Sequence, residues 1–226
     1  MKEDWICADK DLSKISISTN PNNEPVSIHG SSDRLNCIGI GTDAAVFQSF
    51  EHPEYAYKMY ADDRVEKIQI ERRVYDILGD SPYFSTCYGS KDDYLVLSFE
   101  AGITLYDCLL QGIPIPHQVI QDVDDAREFV RQKGLNPRDI HLKNVFLQNG
   151  RAKIIDVSEY VNPGNDLRWD YLKKAYDQYY HLIEGRPIPL KVIEMIRKRY
   201  NQRNNDSSTI EDFMSNTYKF FTSFWK

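Results

Sequence analysis

Hydrophobic rhythm divides this chain into two unlike parts. Between about residues 34 and 100 the apolar residues fall mostly in short alternating runs, the pattern of half-buried strands. Ile38 to Phe47, Ile-Gly-Ile-Gly-Thr-Asp-Ala-Ala-Val-Phe, reads as strand, turn and strand, and Tyr55 to Tyr60 alternates around a single Lys. That alternation places the Lys58 side chain opposite Tyr57 and Met59. Arg64 to Leu78 breaks the rhythm: Val65, Ile68, Val74, Ile77 and Leu78 recur at roughly helical spacing. From residue 101 onward the spacing is mainly helical. Leu105 to Leu110 opens this part, Pro114 and Pro116 interrupt it, and Gln118 to Gln132 carries Val119, Ile120, Val123, Ala126, Phe129 and Val130 on one face. One exception is expected, a hairpin of Val145-Phe-Leu and Ala152-Lys-Ile-Ile across Asn149-Gly150, a strong turn pair. Asp166-Leu-Arg-Trp-Asp170 reads as the start of the next helix.

The ends are less regular. Residues 1–33 are polar and broken by Asn20-Pro-Asn-Asn-Glu-Pro25, with Ile15-Ser-Ile-Ser as an edge strand or arm. Asn201 to Ser208 reads as a linker. Thr209 and Asp212 resemble a capping box opening a last helix that ends Phe-Phe-Thr-Ser-Phe-Trp, either core or docking surface. There are no internal repeats. The pattern predicts an α+β chain with an arm (1–33), a strand-rich unit (34–100) and a mainly helical unit (101–226).

Composition narrows the class only modestly. An apolar content of 41% with 12% aromatics belongs to a globular chain rather than a disordered one. A net charge of −6 argues against a nucleic-acid partner held by general electrostatics. The local cluster of Lys191, Arg197-Lys-Arg199 and Arg203 reads as a solvated helix face. With no membrane-length apolar run and no signal-peptide pattern at Met-Lys-Glu-Asp-Trp, the expected location is cytoplasmic, without a membrane partner. Cys7, Cys37, Cys87 and Cys108 are too scattered for a zinc site and are expected to be reduced, mostly buried thiols.

The chemistry concentrates in Asn-Pro-Arg-Asp139-Ile-His-Leu-Lys-Asn144 and in Asp156, which ends the second hairpin strand. An acid, an amide five residues on, and a second acid after an apolar run suit phosphate transfer. The first carboxylate can orient and deprotonate a hydroxyl, while the amide and second acid hold metal. Chance supplies such a pattern roughly 0.03 times in a chain of this length, so it needs independent support. Support lies upstream. Gly39 and Gly41 suit a lid whose backbone approaches phosphates, and Lys58 on the inner strand face suits the α- and β-phosphates. Glu71, or in competition Glu66, can pair with Lys58; Glu71 is preferred because it precedes the apolar stripe.

In these features the chain resembles the protein-kinase superfamily, from about residue 35 to 180. Gly39-x-Gly41-x-x-Ala44-x-Val46 is similar to the glycine-rich loop, with Ala44 at the usual third Gly. Lys58 resembles the strand Lys and Glu71 its helix partner. Leu95-Val-Leu-Ser-Phe-Glu-Ala-Gly102 resembles the adenine-holding hinge, which implies contacts around Ser98 to Glu100. Arg138-Asp139 and Asn144 resemble the catalytic loop, and Asp156 the first residue of the Asp-Phe-Gly metal motif. The resemblance implies a two-lobed fold: an antiparallel-sheet N-lobe with one helix, and a reduced, mainly helical C-lobe. It further implies ATP and Mg²⁺ as cofactors.

Departures qualify the likeness. Pro137 stands where a His is usual, His141 where protein kinases carry a phosphate-contacting Lys, and Val157-Ser158 where Phe-Gly is usual. Lys143 could supply the missing charge, in a different phase of the loop. No Ala-Pro-Glu sequence follows Asp156. These features resemble RIO-type kinases and small bacterial Ser/Thr kinase-like proteins with reduced C-lobes, and His141 resembles aminoglycoside phosphotransferases. The expected activity is transfer of the γ-phosphate of Mg·ATP to the hydroxyl of a protein Ser or Thr, and in second place to a small-molecule hydroxyl, with Asp139 as base. The alternative is a catalytically weak, ATP-binding regulator. Asp170 either braces the catalytic loop or begins a helix.

Overall fold

A computed structural model of the chain describes residues 4–201; the linker after Asn201 and the capping box at Thr209 and Asp212 lie outside them. The architecture is mixed α/β. A 3₁₀ turn, Asp4–Ala8, leads into α1 (Asp9–Leu12), and β1 (Ser16–Ser18) pairs with β2 (Ser27–His29). The main sheet is antiparallel and built from β3 (Leu35–Ile40), β4 (Ala44–Ser49), β5 (Tyr55–Tyr60), β6 (Cys87–Ser90) and β7 (Tyr94–Ser98). Its strand order is β3-β4-β5-β7-β6. α2 (Glu66–Leu78) connects β5 to β6 and packs against β6 and β7.

Period-two alternation gives the sheet two functions. Tyr57 and Met59 face a buried cluster with Trp5, Leu12, Ile17, Val26, Phe47 and Val96, and the Tyr57 hydroxyl donates to the Trp5 carbonyl at 3.1 Å. The N-terminal segment therefore packs over this face of β4, β5 and β7. Here the structure differs from an edge strand: β1 is bonded to β2 rather than to the main sheet. Ile17 is buried while Ser16 and Ser18 face outward, so the strand lies flat on the apolar face, where its single hydrophobe finds more cover than at an edge. The opposite face carries Lys58 toward α2.

The remaining elements form a second core. β8 (Ile103–Thr104) leads directly into α3 (Leu105–Gln111), where the Thr104 hydroxyl accepts the Asp107 N–H at 3.0 Å as an N-cap. α4 (His117–Gln132) begins after Pro116 and buries Val119, Ile120, Val123, Ala126 and Val130. β9 (Val145–Gln148) and β10 (Arg151–Ile154) form the expected hairpin. Asn149 (φ 53°) and Gly150 (φ 77°) both lie in the left-handed region, as a tight two-residue hairpin turn requires. Buried Asp122 of α4 accepts two bonds from Arg151, both at 2.7 Å, and the Ala152 N–H at 2.9 Å, locking the hairpin to the helix. α5 (Arg168–Tyr179) and α6 (Leu190–Asn201) complete the described chain.

Two backbone bonds fix the level of the hairpin against its neighbours. The Ile154 N–H reaches the Tyr83 carbonyl at 2.7 Å, and the Ile155 N–H reaches the Asn144 carbonyl at 2.9 Å. The first ties the hairpin to the loop before β6; the second holds Asn144 beside the segment entering Asp156. The thiols correct one expectation, since Cys7 and Cys37 are exposed and only Cys108 is fully buried. Among the described residues no helix is long and apolar enough to cross a membrane.

Candidate functional site

The site starts at Lys58, in register with Val46 on β4 and Leu95 on β7. Its Nζ lies 2.8 Å from Glu71 Oε2 and 3.0 Å from Asp156 Oδ1. Helix phase explains why Glu71 is the partner. Five residues on a helix turn the side chain by about 140°, so Glu66 faces solvent when Glu71 faces the sheet. Glu71 is wholly buried; its Oε2 also accepts from the Tyr60 hydroxyl, while Oε1 has no hydrogen-bond partner. Burial opposes the Lys58 charge, but Asp156 and Glu71 outweigh it and hold the ammonium well above its ordinary pKa. Burial pushes Glu71 upward against the pull of Lys58. Asp156 feels burial too, yet the Lys58 ammonium and hydrogen bonds from Lys58 and Ser158 hold it below the usual carboxylate range.

Asp139, Asn144 and Asp156 are linked in a chain of contacts. Asn144 Nδ2 donates to the Asp139 carbonyl at 3.1 Å, and its own carbonyl receives the Ile155 N–H. Asp139 (φ 55°) and Asp156 (φ 60°) both occupy left-handed backbone. Ser158 donates its hydroxyl to Asp156 Oδ1 at 2.9 Å, so the residues replacing Phe-Gly steady this carboxylate. The amide donation by Asn144 leaves its side-chain oxygen as an acceptor. That oxygen and the Asp156 carboxylate are hard donors of the kind that could hold a cation such as Mg²⁺. Among the described residues no group of three or more His, Cys, Asp or Glu side chains is placed to hold a metal ion.

The loop around Pro137 is braced without the usual His. The Asn136 N–H bonds the Tyr160 carbonyl at 2.9 Å, Arg138 donates to the Pro163 carbonyl, and the Asp139 N–H donates to Asp166 Oδ2 at 2.7 Å. Arg168 donates to the Asp139 carboxylate itself. Sequence reasoning missed Asp166 and Arg168, which it saw only as a helix start. Their spacing, Asp-x-Arg before an amphipathic run, was the available signal, but their partner lies 27 and 29 residues away. Asp170 does not reach the catalytic loop. It takes a bidentate pair from buried Arg127, at 3.0 and 2.9 Å, and so joins α5 to α4.

Charge around Asp139 is sharply assigned. Burial raises its pKa to about 6, with Arg168 pulling down and Asp156, Asp166 and Glu159 pushing up. His141 is held neutral, its pKa lowered to about 4 by burial and then by Arg168. Its Nδ1 accepts the Lys143 N–H at 3.2 Å, which puts the ring proton on Nε2, 3.8 Å from Asp139 Oδ1. The Lys143 ammonium sits over the Tyr106 ring, 4.6 Å from its centroid.

The lid and hinge are more constrained than their sequences suggest. Gly39 stands opposite Val46, and the Gly41 N–H bonds the Ala44 carbonyl at 2.8 Å. Neither glycine has a positive φ; an added Cβ would meet Val46 at 3.7 Å from Gly39 and the Ala44 oxygen at 3.3 Å from Gly41. The tip is tied down: the Gly41 carbonyl accepts the Val26 N–H at 2.9 Å, and Asp43 pairs with Arg64 and Lys67 at 3.1 and 2.8 Å. At the hinge, the Ser98 and Phe99 N–H groups are already given to the Thr86 and Glu54 carbonyls, both at 2.8 Å. The Ser98 hydroxyl donates to Glu100 Oε1 at 2.6 Å. The Ser98 and Phe99 N–H groups are therefore already occupied within the chain.

No family model matches the chain. It is 34% identical over 164 residues to a Bacillus subtilis (strain 168) protein named "Putative serine/threonine-protein kinase YrzF", an alignment spanning 71% of this chain and 74% of that protein.

Proposed function

The chain belongs to the protein-kinase-like family of that Bacillus protein, and from this premise we propose that it is an ATP-dependent phosphotransferase. It transfers the γ-phosphate of Mg·ATP to the hydroxyl of a Ser or Thr side chain. The nucleotide lies between two lobes, the main sheet with α2 above and the helical part below. The observation that carries this reading is Lys58 held between Glu71 and Asp156, with Asp139 tied to the same point through Asn144. An ammonium fixed in this way is preorganised for phosphate oxygens and needs little reorganisation when they arrive. The lid agrees with it. At Gly39 the fold needs neither a positive φ nor the space, since a Cβ would meet Val46 at an ordinary 3.7 Å, so the missing side chain leaves the lid backbone open to close approach by a ligand.

Each residue then has a task. Lys58 meets the α- and β-phosphates, and Glu71 fixes Lys58. Asp156 and the Asn144 side-chain oxygen hold Mg²⁺, which when bound supplies positive charge shared by the phosphate oxygens. Asp139 accepts the hydroxyl proton as the acceptor oxygen bonds the γ-phosphorus; the bond to the bridging oxygen breaks and its electron pair leaves with ADP.

A small-molecule hydroxyl is the second reading, favoured by the short connection from Asp156 to α5, which leaves little chain for docking a peptide. Labelled Mg·ATP, intact-mass detection of phosphoprotein, and Asp139→Asn as control test the reading. Label on the protein that vanishes in the variant supports a protein kinase. ATP binding that is indifferent to Mg²⁺, with no Asp139-dependent transfer, sinks the enzyme reading in favour of a regulator.

A further inference from the structure

The geometry points to Arg168 as a catalytic residue: its guanidinium is the side-chain cation that meets the moving phosphoryl group, delivered from the first turn of α5 rather than from the loop that carries Asp139. This rests on the phosphotransferase reading above. Phosphoryl transfer spreads negative charge over three oxygens, and positioned cations lower its barrier most. The cations near Asp139 can be counted one by one. Lys58, assigned above to the α- and β-phosphates, pairs with Glu71 and Asp156 rather than with Asp139. His141 accepts the Lys143 N–H at Nδ1, as only a neutral ring can. Lys143 is turned onto the Tyr106 ring, and Arg138 directs Nη1 to the Pro163 and Gly164 carbonyls rather than to Asp139. Arg168 is different: it donates to the carboxylate where the acceptor hydroxyl must sit.

Its placement is built rather than incidental. Asp166 accepts the Asp139 N–H through Oδ2 and the Arg168 N–H through Oδ1 at 3.2 Å, so one carboxylate sets both backbones. Asp166 Oδ2 also lies 3.7 Å from Arg168 Nε. The guanidinium spends Nη1 on Asp139, and Nη2 has no hydrogen-bond partner among the described residues on a side chain 43% exposed. An arginine carries five donors in a planar fork, so it can hold a carboxylate on one side and phosphate oxygens on the other. It makes no bond to phosphorus and moves no proton.

The test uses the full chain with Arg168→Gln, and with Arg168→Met should the first variant not fold. The probe is ADP with Mg²⁺ and aluminium fluoride, a planar stand-in for the moving phosphoryl group that needs no acceptor. The parent should bind it more tightly than Mg·ADP. Arg168→Gln should lose about tenfold or more of that advantage, keep Mg·ATP affinity within about threefold, and lower kcat about 10²–10³. Arg168→Lys should recover part of the loss. Parental fluoroaluminate affinity and turnover in the variant overturn the assignment, and so does a faster variant, which would make Arg168 a brake on Asp139. In either case Asp139-dependent transfer by the parent leaves the phosphotransferase reading intact. A parent that binds no Mg·ATP defeats both.

Discussion

Replacing Lys58 with Met should unsettle the fold as well as remove a phosphate contact. The ammonium lies 2.8 Å from a carboxylate that is 0% exposed, and Oε1 of that carboxylate already lacks a hydrogen bond. Without Lys58, Glu71 keeps only the Tyr60 hydroxyl as partner. Breaking one side of a buried ion pair costs about 3–5 kcal/mol, since the remaining charge stays out of water. Met retains the aliphatic stem, so little of that cost is lost packing. At about 2–4 °C per kcal/mol for a chain of this size, Tm should fall by about 6–20 °C. The deficit depends on pH. Burial raises Glu71 above its unfolded value of about 4.3, and losing Lys58 raises it further. A carboxyl raised in this way favours the fold below its unfolded pKa and loses that contribution as pH rises through the folded pKa. Asp156 adds to the effect: depressed by Lys58 in the parent, it contributes stability above its unfolded pKa, and the variant forfeits this. The penalty should therefore be small near pH 4 and full at neutral pH. Thermal unfolding of the parent, Lys58→Met, Glu71→Gln and the double variant between pH 4 and 8 forms a complete cycle. The double variant removes the stranded charge and should regain most of the lost stability while phosphate transfer stays absent. A single variant within about 1 kcal/mol of the parent at pH 7.5, with no gain in the double, would refute the buried-pair argument.

Other expectations follow from single contacts. With Asp139 at about pH 6 and active when deprotonated, kcat/KM should rise with pH through about 6 and then level. His141→Gln should keep that limb, because His141 is already neutral above about pH 4; a limb persisting in the residual activity of Asp139→Asn would disprove the assignment. Asp156→Asn should cut turnover about 10²–10³ and reduce the Mg²⁺ dependence of ATP binding measured by calorimetry. Turnover within two- or threefold of the parent, on the scale of that expected loss, would remove Asp156 from the metal site. Gly89→Ala should destabilise by about 1–3 kcal/mol, because the new Cβ would lie 2.7 Å from Trp5 Cζ2 and the indole must shift. An unchanged denaturation midpoint would show that the N-terminal cover yields freely.

What could be read from the sequence was whatever repeats locally. Alternation around Lys58 and helical spacing from Val65 to Leu78 are properties of neighbours, and the structure has the strand, the helix and their opposed faces. The Asn149-Gly150 turn needs two positive φ angles, a demand visible in the residue types alone. The outer cover was not legible, because the polar run from Asn20 to Pro25 hides that Trp5, Leu12, Ile17 and Val26 share one buried surface. Arg168 and Asp166 were missed because they act across 27 to 29 residues and look like an ordinary helix start. The hinge is limited in a different way. The apolar run through Leu97 marks a strand end, but which peptide groups remain free there depends on Thr86 and Glu54, which no local pattern connects to it.

The left-handed backbone at Asp139 and Asp156 governs how these two positions can be probed. An alanine scan would confound two losses there, since Ala has to be forced into a conformation that costs an L-residue with a Cβ roughly 1–2 kcal/mol. Asn tolerates the same dihedrals and differs from Asp mainly in charge, whereas Gly accepts them and lacks the side chain altogether. Comparing Asn, Gly and Ala at each position therefore separates chemistry from handedness. Transfer should fall in all three, and thermal stability should fall furthest in Ala.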